Sequence, residues 1–305
     1  MLIKWIKLGK VSFPNKTGKD FLRVWAKSLL LAILNFPHNK KMEFPIQPLK
    51  SEVWSSFNKW LHFQINFISP KDWAKSPVIL AVAGGYSERI KLDTITFSDF
   101  DRATSKRIAK KYSVAFRGFR EDDFRDWILK VLACVRAAEK LTGMSLINSG
   151  ISVAEIGPGL GSMAGIAIEH SSPNFYSYDT LEMQTIQRYV TEALDITENR
   201  CTFFPINSEI HKNLADVPES PYTLFAFWSF TEVNISERAF YSDLLKNSEA
   251  TIIACNNFFE GVNNFKYLDN LAIELGKEVR YIDFLTIFGN SIPKFQQKHR
   301  LYTFK

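Results

Sequence analysis

The sequence predicts an α/β fold: a seven-stranded, mostly parallel sheet with helices on both faces, preceded by a mainly helical N-terminal region. Three observations predict it. From residue 151 onward, short apolar runs alternate with amphipathic stretches, as in sheets built from strand–helix–strand units. A glycine-rich segment follows the first apolar run, and the second run ends on an acidic residue. Both features are typical of nucleotide-binding sheets.

Residues 1–50 form a basic, partly apolar segment that we treat as a region of its own. Ten lysines and arginines against two acidic residues give it a charge of +8, so the other 255 residues carry −2 of the total of +6. Its apolar run, residues 29–34, is far shorter than the roughly 20 residues that span a bilayer. The segment predicts either a basic amphipathic helix on an anionic membrane surface or a helix packed on the rest of the protein.

Residues 51–145 are predicted to be a mainly helical accessory or substrate region. Large aromatic residues recur at helical spacing at positions 54, 57, 60, 63 and 67, which favours a buried stripe. Two further helices are predicted at 98–112 and 121–142. The second has a continuous apolar face, and its first turn holds three acidic residues, whose charge suits the positive end of a helix dipole.

Residues 146–305 are predicted to be the ligand-binding domain. The strand candidates are residues 152–156, 174–178, 201–205, 223–228, 251–256, 279–284 and 301–304. The helices between them are predicted at residues 161–169, 181–194, 236–245 and 264–275. In sheets of this kind, ligands bind outside the carboxyl ends of the strands, so the residues that follow each strand are the candidates for the site.

The glycine-rich segment, residues 155–161, reads EIGPGLG. Glycines allow close approach of the backbone to a ligand, and the helix that follows offers free N–H groups. The dinucleotide pattern places its third glycine at the sixth position, which is Ser162 here, so a nicotinamide cofactor is disfavoured. Asp179 lies 22 positions after Gly157, where an acid accepts hydrogen bonds from ribose hydroxyls. The alternative is an ordinary strand–turn–helix in which Asp179 caps the helix.

Segment 155–161 resembles the first motif of class I S-adenosylmethionine-dependent methyltransferases. The resemblance implies a Rossmann-like sheet whose last strand inserts antiparallel, and S-adenosyl-L-methionine as cofactor. It also implies a set of cofactor-binding residues: Glu155, Gly157, Pro158, Gly159, Gly161, Asp179, Asn207 and Trp228. Among these, Asn207 follows the third strand, where the family contacts the adenine ring.

Residues 227–232, which read FWSFTE, resemble the strand-four motif Ser-Phe-x-Glu of a group of bacterial proteins assigned as sugar O-methyltransferases. This resemblance implies methyl transfer to a sugar hydroxyl of a glycan or polysaccharide precursor. A hydroxyl must lose its proton as the new bond forms, so a base is expected nearby. We expect Glu232 to be that base or to hydrogen-bond the sugar; the alternative is a carboxylate that satisfies backbone N–H groups at a helix entry.

Other residues after the strands complete the predicted site. His211 follows the third strand and His299 precedes the last one, so both are catalytic candidates, with surface loops as the alternative. We expect Ser229, Asn234 and Asn256 to bind substrate. Two other functions stay open: a methyltransferase for another small acceptor, such as a polyketide or an amine, and a non-catalytic cofactor-binding protein of the same fold.

Composition limits the partners. The three cysteines are far apart and fit no metal spacing, so we expect no disulfide and no zinc site. This favours a reducing, cytoplasmic location, with residues 1–50 able to contact the inner membrane surface. No Asp-Asp pair of the kind that catechol-type methyltransferases use follows the fourth strand, so we expect no required metal. The charge of −2 over residues 51–305 disfavours nucleic acid as a partner. The partners expected are a small-molecule or glycan substrate, and a homo-oligomer is allowed.

Overall fold

The computed structural model describes residues 61–76, 92, 95–117, 120–206, 217–219, 221–292 and 296–305. The N-terminal segment 1–50, the aromatic positions 54–60 and the predicted site residues Asn207 and His211 lie outside these residues. Within them, the predicted α/β fold is confirmed.

Seven strands form one sheet in the order β3-β2-β1-β4-β5-β7-β6. Strands β1 to β5 are parallel, and β7 inserts antiparallel between β5 and β6, as the sequence analysis expected. Each predicted strand matches the observed one to within one residue. The strands are β1 (Ser152–Ile156), β2 (Phe175–Asp179), β3 (Cys201–Pro205), β4 (Tyr222–Phe227), β5 (Ala250–Cys255), β6 (Val279–Asp283) and β7 (Arg300–Phe304).

Eight α-helices are fully bounded within the described residues, and residues 61–67 are also helical. They are α1 (Asp99–Ala115), α2 (Glu121–Thr142), α3 (Ser162–Glu169), α4 (Leu181–Ala193), α5 (Ile235–Arg238), α6 (Ser242–Asn247), α7 (Asn264–Leu275) and α8 (Phe284–Phe288). The prediction of one helix over 236–245 was wrong, because a 3-10 turn, Ala239–Tyr241, separates α5 from α6. There the Ser242 hydroxyl donates to the Ala239 carbonyl at 2.7 Å, in competition with the helical backbone bonds.

Helices cover both faces of the sheet, which explains why nearly every residue of its central strands β1, β4 and β5 is buried. Neighbouring residues of one strand enter opposite cores. Phe225 packs with residues of α1 to α4, whereas Leu224 packs with Leu244 of α6 and Leu268 of α7. Helix α2 therefore shares its core directly with the sheet. None of the helices in the described part of the chain is long and apolar enough to cross a membrane.

Candidate functional site

The loop after β1 has three glycines in a backbone conformation that favours glycine. Gly157, Gly159 and Gly161 have φ of +63°, +56° and +74°, the left-handed region that other residues rarely occupy. The Gly161 N–H donates to the Pro158 carbonyl at 2.8 Å, which closes a tight turn, and Gly161 is the N-cap of α3. The loop thus leads from the carboxyl end of β1 directly into a helix N-terminus.

Gly157 faces the chain that follows β4. A Cβ atom on Gly157 would overlap the Ser229 side chain, whose Oγ would lie 3.0 Å away, whereas a Cβ on Gly161 would meet nothing within 4 Å. The Ser229 hydroxyl donates to the Ile156 carbonyl. Ser229 therefore ties the end of β4 to the end of β1, and its predicted contact with substrate stays a prediction.

Glu155 places a buried carboxyl group beside the loop. Only 4% of the residue is exposed, and its Oε2 atom has no hydrogen-bond partner. Burial, and next the charge of Asp179, raise the pKa of Glu155 well above its usual range. A buried acceptor without a donor is unfavourable, so a bound ligand with an N–H group would be stabilised here.

Asp179 ends β2 and is held by two donors. Its Oδ1 accepts from the Thr180 N–H and its Oδ2 from Gln187 Nε2, both at 2.8 Å. The N-cap of α4 is Thr180, so Asp179 is not the helix cap. A carboxylate has about four acceptor positions, which leaves room for a ribose hydroxyl. Burial raises the pKa of Asp179 to about 7.

Gln187 is a site residue that the sequence analysis missed. Besides Asp179, its Nε2 donates to the Gly159 carbonyl at 3.1 Å, and its Oε1 accepts from the Ser177 hydroxyl at 2.6 Å. It therefore joins the glycine loop to the end of β2. The one sequence signal was a glutamine on the helix that follows Asp179, two turns from its start.

Glu232 lies in a short 3-10 turn, Phe230–Glu232, just after β4 and is half-buried. Arg238 fixes this turn by donating to the Thr231 carbonyl at 2.7 Å and the Val233 carbonyl at 3.2 Å, on either side of Glu232. Burial raises the pKa of Glu232 to about 7. Asn234, not Glu232, caps the next helix. A carboxyl group with a pKa near neutrality suits a general base.

His299 and Trp228 form a hydrogen-bonded pair. The Trp228 indole Nε1 donates to His299 Nδ1 at 2.9 Å. Because an indole nitrogen can only donate, His299 Nδ1 is unprotonated and its proton is on Nε2. Burial, and next the charge of Lys130, lower the pKa of His299 to about 4. At neutral pH the geometry therefore favours His299 as a donor through Nε2 over the proton acceptor that the sequence suggested.

Trp228 has φ of +66°, unusual for a residue with a side chain, and such strain is often found at functional sites. Its ring packs edge-on against Phe284 and His299. The ring thus fills the space between β4 and the C-terminal chain. Direct contact of Trp228 with a cofactor stays a prediction.

The two predicted substrate asparagines each use the side-chain oxygen within the protein. Asn234 Oδ1 accepts from the Ser236 N–H at 3.0 Å, and Asn256 Oδ1 accepts from Asn264 Nδ2 at 2.9 Å. A substrate could still be contacted by their NH₂ groups. No group of three or more metal-ligating side chains occurs in the part of the chain that the structure describes.

The sequence matches no protein-family model and no curated protein. Among solved structures, it is similar to the methyltransferase domain of bacterial CtHen1, with 14% identity, a TM-score of 0.40, and coverage of 58% of this chain and 96% of that one. An O-methyltransferase family protein from Burkholderia thailandensis has 12% identity and a TM-score of 0.42, with coverage of 94% of this chain and 83% of that one.

A third similar structure is magnesium protoporphyrin IX methyltransferase (ChlM) from Synechocystis PCC 6803, solved with bound S-adenosylmethionine. It has 14% identity and a TM-score of 0.43, with coverage of 70% of this chain and 99% of that one. Likenesses this distant identify no acceptor. The fold assignment rests on the strand order itself: seven strands, with the last inserted antiparallel, form the methyltransferase-like α/β sheet.

Proposed function

We propose that this protein is an S-adenosylmethionine-dependent O-methyltransferase that acts on a sugar hydroxyl of a glycan or polysaccharide precursor. The observation that carries the proposal is Glu232, a half-buried carboxyl group with a pKa near 7 that follows β4. The Ser229–Ile156 hydrogen bond and the packing of Ser229 on Gly157 place its turn next to the glycine loop. A candidate base therefore lies at the same sheet edge as the candidate cofactor loop.

The residues present fit S-adenosylmethionine. The left-handed glycines open the backbone to a ligand, Asp179 has an acceptor position for the ribose, and the unpartnered Glu155 Oε2 can accept from an ammonium group. A cation beside Glu155 would also stabilise its ionised form. When bound, the cofactor supplies an electrophilic methyl group on a sulfonium.

The chain supplies the proton chemistry and the positioning. Glu232 accepts the proton of the acceptor hydroxyl on its carboxylate, and a pKa near 7 keeps part of it ionised at neutral pH. His299 carries its proton on Nε2, so this atom is a hydrogen-bond donor and not a proton acceptor. The two carbonyl contacts of Arg238 stabilise the turn after β4 that carries Glu232.

The test is methyl transfer from labelled S-adenosylmethionine to a panel of nucleotide sugars and monosaccharides, with a polyketide and an amine as other acceptors. Wild type is compared with Glu232→Gln and with Glu274→Gln, a matched change at an exposed site on α7. Transfer to a sugar that only Glu232→Gln abolishes would support the proposal. Transfer confined to the polyketide or the amine would change the acceptor class. Cofactor binding without transfer to any acceptor would favour a binding protein.

We also propose that residues 1–50 bring the protein to a membrane that carries glycan precursors. The charge of +8 on this segment would attract the protein to an anionic membrane surface. Sedimentation with anionic vesicles should retain the protein at low salt and release it at high salt. Deletion of residues 1–50 should abolish retention, and unchanged binding after deletion would rule out this role.

A further inference from the structure

Lys130 is a buried cation that the proposed chemistry does not use. It lies on α2 and is 3% exposed. Its Nζ donates to Gln296 Oε1 at 3.2 Å and lies 4.7 Å from the ring centroid of Trp228 and 5.4 Å from that of Trp127. None of these partners is a carboxylate, and no ion pair to Lys130 occurs among the residues that the structure describes. A buried ammonium without an anion is unfavourable, and burial lowers the pKa of Lys130 to about 8.

The two rings around this ammonium are each connected to one end of the glycine loop. Trp127 Nε1 donates to the Ser162 hydroxyl at 2.8 Å, and Ser162 directly follows Gly161. Trp228 directly precedes Ser229, whose side chain packs on Gly157. The Lys130 ammonium is thus linked through one ring to the start of the loop and through the other to its end.

The position of Lys130 also fits the direction in which a nucleoside cofactor would extend. Asp179, the candidate ribose partner, belongs to β2, whereas Trp228 follows β4, and β1 lies between these two strands. A cofactor with its ribose at Asp179 and its ammonium group at Glu155, on β1, would extend from β2 across β1 toward Trp228 and Lys130.

The amino-acid tail carries one positive and one negative group, and the site offers one buried group of each opposite sign. Glu155 has an unpartnered oxygen, and Lys130 has no carboxylate partner within the described ranges. No ion pair joins Glu155 to Lys130 there, so neither compensates the other's charge. The two groups are therefore complementary in sign to the ammonium and the carboxylate of the tail.

We propose that Lys130 binds the carboxylate of the cofactor's amino-acid tail, while Glu155 accepts from the tail's ammonium group. The inference rests on the proposed function, because it takes S-adenosylmethionine as the ligand. It adds to the site a cation from α2, a helix that precedes all the strands of the sheet in the chain.

The test is calorimetric titration with S-adenosylhomocysteine and with 5′-methylthioadenosine, which has no amino-acid tail. Wild type is compared with Lys130→Met and with Lys140→Met, the same change at an exposed position of the same helix. Lys130→Met should weaken S-adenosylhomocysteine binding about 10- to 100-fold, or about 1.4–2.8 kcal/mol, and leave methylthioadenosine binding unchanged. Lys140→Met should behave as wild type with both ligands.

A second measurement changes the ligand as well as the protein. Decarboxylated S-adenosylhomocysteine should bind wild type more weakly than the parent compound by the same factor, and Lys130→Met should not distinguish the two compounds. Equal S-adenosylhomocysteine affinity in wild type and Lys130→Met would overturn the inference, and so would an equal loss for methylthioadenosine. If wild type bound no S-adenosylhomocysteine at all, the proposed function itself would fail, which is a distinct result.

Discussion

Alanine at Gly157 should destabilise the protein more than alanine at Gly161. Both glycines have positive φ, so each substitution places an L-residue in the left-handed region at a cost of about 1–2 kcal/mol. Only at Gly157 does the new Cβ overlap the Ser229 side chain, and overpacking adds about 1–3 kcal/mol. The expected loss of unfolding free energy is therefore about 2–5 kcal/mol at Gly157 and about 1–2 kcal/mol at Gly161.

Urea denaturation of the single variants measures this difference. Gly276→Ala is the control for backbone cost alone, since Gly276 has φ of +65°, has nothing within 4 Å of a Cβ and ends α7. Ser229→Gly should restore part of the stability of Gly157→Ala beyond its own effect as a single variant, because it removes the overlapping Cβ. Equal losses at Gly157 and Gly161, with no restoration, would refute the packing of the β4 end against the loop.

The remaining predictions concern protonation. The raised pKa of Glu232 means that the folded state binds more protons than the unfolded state between about pH 4.5 and 7, so this group's contribution to stability falls as pH rises through that window. Glu232→Gln should therefore raise Tm over wild type more at pH 8 than at pH 5; an equal shift at both would contradict the burial. The lowered pKa of His299 means that the unfolded state binds more protons between about pH 6.5 and 4, so stability from the neutral ring is lost as pH falls through that range. Nitrogen-15 NMR should show His299 Nδ1 unprotonated at pH 6; a protonated Nδ1 would contradict the Trp228 hydrogen bond, and a midpoint near pH 6.5 would contradict the burial of the ring beside Lys130. His299→Ala should cost about 1–3 kcal/mol by leaving the Trp228 indole N–H unpaired, and His299→Gln should cost less in urea denaturation, because its side-chain oxygen can accept.

The sheet could be predicted because its signals are local. Each central strand is a short apolar run, and the alternation with amphipathic stretches reports a sheet covered on both faces. The antiparallel last strand came from the resemblance, since periodicity carries no information on strand order. The helix over 236–245 was mispredicted because the Ser242 hydroxyl competes for a backbone carbonyl, a contact that apolar spacing does not show.

The site was only partly predictable because several contacts join residues far apart in the chain. The glycine loop was identified by its spacing, but the partner of Gly157, Ser229, is 72 positions away. His299 was proposed as catalytic from its position before a strand, yet its protonation depends on Trp228 and Lys130. Lys130 lies three positions after Trp127 on the buried side of α2. The lysine itself was the only sign in the sequence that this helix contributes to the site.

Titration with S-adenosylhomocysteine, with NAD as the control ligand, tests the central claim most directly. Wild type should bind S-adenosylhomocysteine with micromolar affinity and should not bind NAD. Asp179→Ala should lose this binding, whereas Asp269→Ala, at an exposed position of α7, should retain it. Wild-type protein that binds NAD, or that binds neither compound, would contradict the cofactor assignment and every site role that rests on it.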